Sequence, residues 1–373
     1  MTWKRGTLAD FLGDLVVYRN LEPMDARLPG LRASWAEIGL DHYYIPRKTS
    51  PDYAAALIFF LRRAQQLRGV AQPLERLLFI GDTLMNDGTA ARNVGKYLQL
   101  MGFIGADRLA EPAEAQIKGD LMVANRWRAL AEFVGWVEGA GFACDERTAL
   151  LIDLDKTSLG ARGRNDKVID AARLQAVQRT MRAALGEHFD QALFQDTYDR
   201  LNQPKYHYFT ADNQDYLAYI VLMVSGGVYS PEELWEELAS GNLSSIEEFV
   251  RRCDERRGRM SAGLLEAHRE VLRGIEAEDP TPFKGFRRGE YFETIARMDL
   301  LPDDADEQSV LSQEIVITAE VASVAHYMAE RGVLVFGISD KPDEASVPTP
   351  EDAAKGYQPV HRTRMKIYGE RVA

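Results

Sequence analysis

Three short runs along the chain are apolar at every position and end on acidic or small polar residues. Residues 77–80 lead into Gly81 and Asp82, residues 150–152 into Asp153, and residues 333–336 into Gly337, Ile338 and Ser339. Each follows a stretch with helix-like patterning, at 62–70, 125–141 and 315–332. A strand that is apolar on both alternating faces is covered on both sides. Such strands alternating with amphipathic helices predict an α/β fold on a parallel sheet. In open sheets of this kind ligands bind beyond the carboxyl ends of the strands, where all three runs place their polar residues.

Between about 158 and 314 the pattern becomes helical, with no comparable strand run. Ser230-Pro-Glu-Glu233 and Ser244-Ser-Ile-Glu247 read as capping boxes, the first with proline at the first helical position. Residues 216–224 read as a buried apolar helix. Loops bracket the segment: Leu159-Gly-Ala-Arg-Gly-Arg-Asn165 before it and Leu301-Pro-Asp-Asp-Ala-Asp306 after it. The expected organisation is therefore a first part of an α/β core at 1–157, an inserted all-helical domain at 158–314, and the rest of the core with a C-terminal tail at 315–373. At roughly 150 residues per domain, 373 residues suit this division.

Composition narrows the class. With 46% hydrophobic and 27% charged residues the chain is ordinary globular sequence, not a disordered, collagenous or coiled-coil one. The net charge of −12 lacks the footprint of a nucleic-acid binder. The longest apolar run, 217–224, is too short to span a bilayer, so no membrane partner is expected. The first twenty residues carry no apolar h-region or cleavage site, so no signal peptide is expected there. Two cysteines, Cys144 and Cys253, make no disulfide framework, and a cytoplasmic location is the expectation. None of the six histidines has metal-ligand spacing, which argues against zinc.

Four stretches could carry chemistry, and each also has an ordinary reading. Asp153-Leu-Asp155-Lys-Thr157 sets two carboxylates two apart at a strand end, so that one can attack while the other handles a proton; it could equally be a loop that holds acids. Gly81-Asp82 with Asp87 places further carboxylates at a second strand end, a set of hard oxygens suited to Mg²⁺; Asp87 could instead cap a helix. Ser339 could donate to a phosphate oxygen or simply form a turn. Lys48 precedes Ser50-Pro51, an N-cap and first helical position. It would lie beside a helix N-terminus, itself an anion site, or be a solvated surface lysine.

Together the four resemble the motifs of the haloacid dehalogenase (HAD) superfamily. Asp153, Asp155 and Thr157 match its first motif, an apolar strand followed by D-x-D-x-T. Ser339, with the Ser-Asp-Lys-Pro continuation, matches the second. Lys48 matches the third, with Arg47 and Lys96 as other candidates. Gly81, Asp82 and Asp87 match the fourth. The resemblance covers roughly 40–157 and 313–345. The chain order is third, fourth, first, second, which looks like a circular permutation cut between the second and third motifs. Residues 102–147 would be the join, with an edge strand at 103–106 and a helix at 125–141.

The resemblance implies a Rossmann-like three-layer core and a helical cap. It implies a Mg²⁺-dependent phosphohydrolase of a small phosphorylated metabolite. Asp153 would be the nucleophile and Asp155 the general acid/base. Mg²⁺ would be held by Asp153, the backbone carbonyl of Asp155 and Asp82, with Asp87 positioning it. Lys48 and Ser339 would bind the transferring group. Family dehalogenases typically lack the second acid, so Asp155 favours phosphoryl chemistry. The alternatives are a phosphotransferase or phosphomutase with the same intermediate, and a non-catalytic phosphate-binding regulatory protein. Arg162 and Arg164 would either steer an anionic substrate or be solvated. Residues 205–209, rich in aromatics, would face the substrate or pack in a core. The strand-like residues 15–19 have no assigned place, and the tail 357–373 would add a strand or bind a partner subunit.

Overall fold

The three apolar runs form neighbouring strands of one sheet. The computed structural model describes residues 3–373. Among them the strands, in chain order, are β1 (Arg5–Gly6), β2 (Val16–Val17), β3 (Arg76–Gly81), β4 (Gln99–Gly105), β5 (Ala115–Lys118), β6 (Leu121–Ala124), β7 (Thr148–Asp153), β8 (Ile317–Thr318), β9 (Leu334–Ile338) and β10 (Met365–Tyr368). Seven of these make a mixed sheet in the order β2-β9-β7-β3-β4-β6-β5. All neighbours are parallel except β5, which pairs antiparallel with β6. Leu77 to Ile80 and Ala149 to Ile152 are fully buried, because helices flank the sheet on both faces. Truncating one such leucine to alanine costs about 2–5 kcal/mol.

The chain divides into two compact units: Met1–Ala171 with Thr294–Ala373, and Ala172–Glu293. The first holds both sheets. Its helix Pro51–Leu67 starts as its sequence dictates, with Ser50 Oγ accepting from the Tyr53 amide at 3.2 Å and Pro51 in the first turn. Ala54, Leu57, Ile58 and Leu61 bury one side of it. Residues 15–19 find their place as β2, which closes the sheet edge beside β9. The tail supplies β10, which pairs with β1 and β8 in a second, three-stranded sheet.

Three expectations are corrected. Residues 103–106 are not an edge strand: β4 is interior, and the edge is the largely exposed β5 of the hairpin that follows. Residues 315–332 are not wholly helical. They open on β8, a β-branched stretch, and the helix runs Ala319–Ala329. The second capping serine is Ser245, which accepts from the Glu248 amide, one position later than the box read from sequence.

The second unit is helical. Its centre is the helix Gln214–Ser225, in which Leu217 through Val224 are all buried. Apolar residues all around a helix require neighbours on every side. The helices Gln191–Leu201, Ile246–Glu255 and Ala262–Glu276 provide them. Within 205–209, Phe209 joins this core while Tyr208 is exposed. Among the described residues no helix is long and apolar enough to cross a membrane.

Candidate functional site

Parallel pairing puts the carboxyl ends of β3, β7 and β9 at one edge of the sheet. Ile80 lies opposite Ile152, and Asp153 opposite Ile338. Asp82, Asp153 and Ser339 therefore end neighbouring strands at or just past the last paired positions. The helix Asp87–Val94 then turns Asp87 back toward the strand end. Asp87 Oδ2 accepts from the Asp82 amide at 3.0 Å, the Thr83 amide at 2.8 Å and Thr83 Oγ1 at 3.1 Å. Its carboxylate thus shapes the 82–86 loop and is not an N-cap; the cap position is Asn86. The turn needs Gly81, since a Cβ there would lie 2.5 Å from Asp87 Cβ.

One oxygen from each of Asp82, Asp87 and Asp153 lies within 4.8 Å of the others. Lys48 Nζ bridges two of these groups, 2.5 Å from Asp87 Oδ1 and 2.5 Å from Asp153 Oδ1. Arg47 is exposed, and Lys96 donates to Asn93 Oδ1 at 2.8 Å. Thr157 Oγ1 donates to Asp153 Oδ2 at 2.9 Å. Arg162 Nε donates to Asp82 Oδ2.

Three carboxylates against the buried ammonium of Lys48 and the partly exposed guanidinium of Arg162 leave a net negative charge. Burial, reinforced by the charge of Asp153, pushes Asp82 up to about 9. Burial also pushes Asp153 up to about 7, against the pull of Lys48. Asp87 goes the other way. Despite its burial, Lys48 and its hydrogen bonds from Asp82 and Thr83 hold it well below the usual carboxylate range. Lys48 is itself buried, yet Asp153 and Asp87 raise it well above its ordinary value. An all-oxygen donor set that retains protons for want of positive charge fits a hard divalent cation.

The remaining expected residues are placed as follows. Asp155 is half-buried two residues beyond Asp153 and, among the described residues, makes no side-chain hydrogen bond or ion pair; its carboxylate is outside the cluster of three. Ser339 is buried, its amide donating to Val17 O at 3.0 Å and its Oγ accepting from the Lys341 amide at 3.0 Å. Arg164 is turned to Glu320, with two bonds of 2.9 and 3.0 Å, and to Asp107 at 2.7 Å. Its guanidinium anchors the loop and is not among the groups brought to the carboxylates.

Sequence reading passed over Tyr53. It lies at the third position of the helix Pro51–Leu67 and is fully buried; burial raises its hydroxyl above the ordinary range, against the field of Lys48. The Ser50 cap fixes this position five residues after Lys48, and that spacing was the available signal. Compared with known proteins, the chain matches no family model, no curated protein and no solved structure.

Proposed function

We propose that the protein is a Mg²⁺-dependent phosphohydrolase of the HAD type, its motifs in permuted order, acting on a small phosphorylated metabolite through an aspartyl-phosphate on Asp153. The observation that carries this reading is the convergence of Asp82, Asp87 and Asp153 on Lys48 at the carboxyl edge of adjacent strands. Asp153, Asp82 and the Asp155 backbone carbonyl would hold the cation, with Asp87 fixing the loop that presents Asp82. Bound there, Mg²⁺ supplies the charge that offsets repulsion between an anionic nucleophile and an anionic phosphate.

Asp153 attacks phosphorus through a carboxylate oxygen, and the bond from phosphorus to the leaving oxygen breaks. Thr157 and Lys48 hold that carboxylate in one orientation. Asp155 gives its proton to the leaving oxygen, then takes one from the water that cleaves the phosphoaspartate. The uncommitted carboxylate of Asp155 supports this role. Lys48 and the Ser339 hydroxyl stabilise charge on the phosphoryl oxygens, and donors fixed in advance are the main source of rate in such transfers.

The test is hydrolysis of para-nitrophenyl phosphate with Mg²⁺. Wild type turns it over, and Asp153→Asn loses at least about a thousand-fold in kcat, the order seen when a nucleophile is removed. Equal rates in the two proteins would remove the nucleophile assignment.

A further inference from the structure

Arg162 is held by its backbone and committed through one side-chain contact. Its amide donates to Lys156 O at 2.8 Å, and its carbonyl accepts from the Asp107 amide at 2.9 Å and Trp127 Nε1 at 3.2 Å. The next residue, Gly163, has φ +78°, and a Cβ there would lie 1.9 Å from Asp107 O, so no other residue fits. Arg164 then ties the loop to Asp107 and Glu320. The Cα of Arg162 is thus fixed at the rim of the cluster. Its side chain is 36% exposed and pairs with Asp82, whose side chain is 7% exposed.

Lys48 satisfies Asp87 and Asp153, so Arg162 supplies the positive charge at the third carboxylate. A divalent cation drawn to the same carboxylate competes with it directly. Once displaced, a guanidinium on a fixed backbone at this rim, already 36% exposed, is open to an anion that approaches the cation.

Resting on the metal-site reading above, we propose that Arg162 is an electrostatic latch. It occupies Asp82 when no divalent cation is bound, is released by the cation, and then binds the phosphate of the incoming substrate through its planar fork of N–H donors. The consequence is ordered binding, cation first and phosphate second. Removing the arginine acts in opposite directions on the two ligands.

The experiment is calorimetric titration of wild type, Arg162→Gln and Arg162→Lys, first with Mg²⁺ alone and then with inorganic phosphate at saturating Mg²⁺. Arg162→Gln is expected to bind Mg²⁺ at least three-fold more tightly than wild type and phosphate at least ten-fold more weakly. Arg162→Lys keeps the charge without the fork, so it should match wild type for Mg²⁺ and fall between the two for phosphate. Unchanged or weaker Mg²⁺ binding in Arg162→Gln overturns the latch, and unchanged phosphate binding overturns the substrate role. Wild type that takes up no Mg²⁺ at all is a different result, and overturns the metal-site reading on which the latch stands.

Discussion

Asp82 and Asp153 keep protons that ordinary carboxyls release near pH 4. Both bind protons more tightly in the folded than in the unfolded chain, so their contribution to stability falls as pH rises from about 4 through the values of about 7 and about 9. Asp87 has the opposite sign: its contribution is present above about pH 4 and is lost as pH falls further. The metal-free protein should therefore melt at a lower temperature at pH 9 than at pH 6, and saturating Mg²⁺ should narrow that gap. Mg²⁺ binding at neutral pH should also release protons, read as a dependence of the calorimetric heat on buffer ionisation. A heat independent of buffer would contradict the assigned protonation. The three aspartates were legible in sequence because each stands at or near the end of an apolar run. Which of Arg47 and Lys48 faces inward was not legible. That depends on how the chain enters the helix Pro51–Leu67, where neighbouring side chains point opposite ways and only Lys48 is buried.

Strand ends and the turns after them set the geometry. Gly81 closes β3, and the side chain of Asp87 fills the space where its Cβ would be. Gly81→Ala should push Asp87 off the loop amides and weaken Mg²⁺ binding by about ten-fold or more, the scale of lost support around a metal ligand. Far-UV circular dichroism should be unchanged, because the alanine is compatible with the strand. Unaltered Mg²⁺ affinity would show that Asp87 does not position the site. The core strands β3, β7 and β9 were readable because strands buried on both faces are apolar throughout. The rest was readable only in part. Residues 15–19 and 103–106 showed strand character without showing their place, and β5 is an exposed edge whose pattern resembles a loop; in the second sheet β8 is two residues long, too short to show a period.

In the whole molecule, residues 48, 82–87, 153–157 and 339 are far apart in sequence yet lie at the ends of adjacent elements, because β7 and β9 pair beside β3 while β4, β5 and β6, which lie between β3 and β7 in the chain, are placed on the other side of β3. Sequence patterning could identify strands but not rank them across the sheet; that order comes from crossover connections packed over a shared core. The tail was equally unreadable. Met365–Tyr368 gains its meaning only from β1 and β8, and His361 from Asp14 and Tyr18 near the other end of the chain. The central claim is that this edge makes Asp153 a covalent nucleophile. Rapid acid quench during turnover of a phosphorylated substrate with Mg²⁺, followed by borohydride reduction and peptide mass spectrometry, tests it most directly. Reduction of an acyl phosphate at residue 153 to homoserine is the expected result. Turnover with residue 153 unmodified, or with the modification on a different carboxylate, would contradict it.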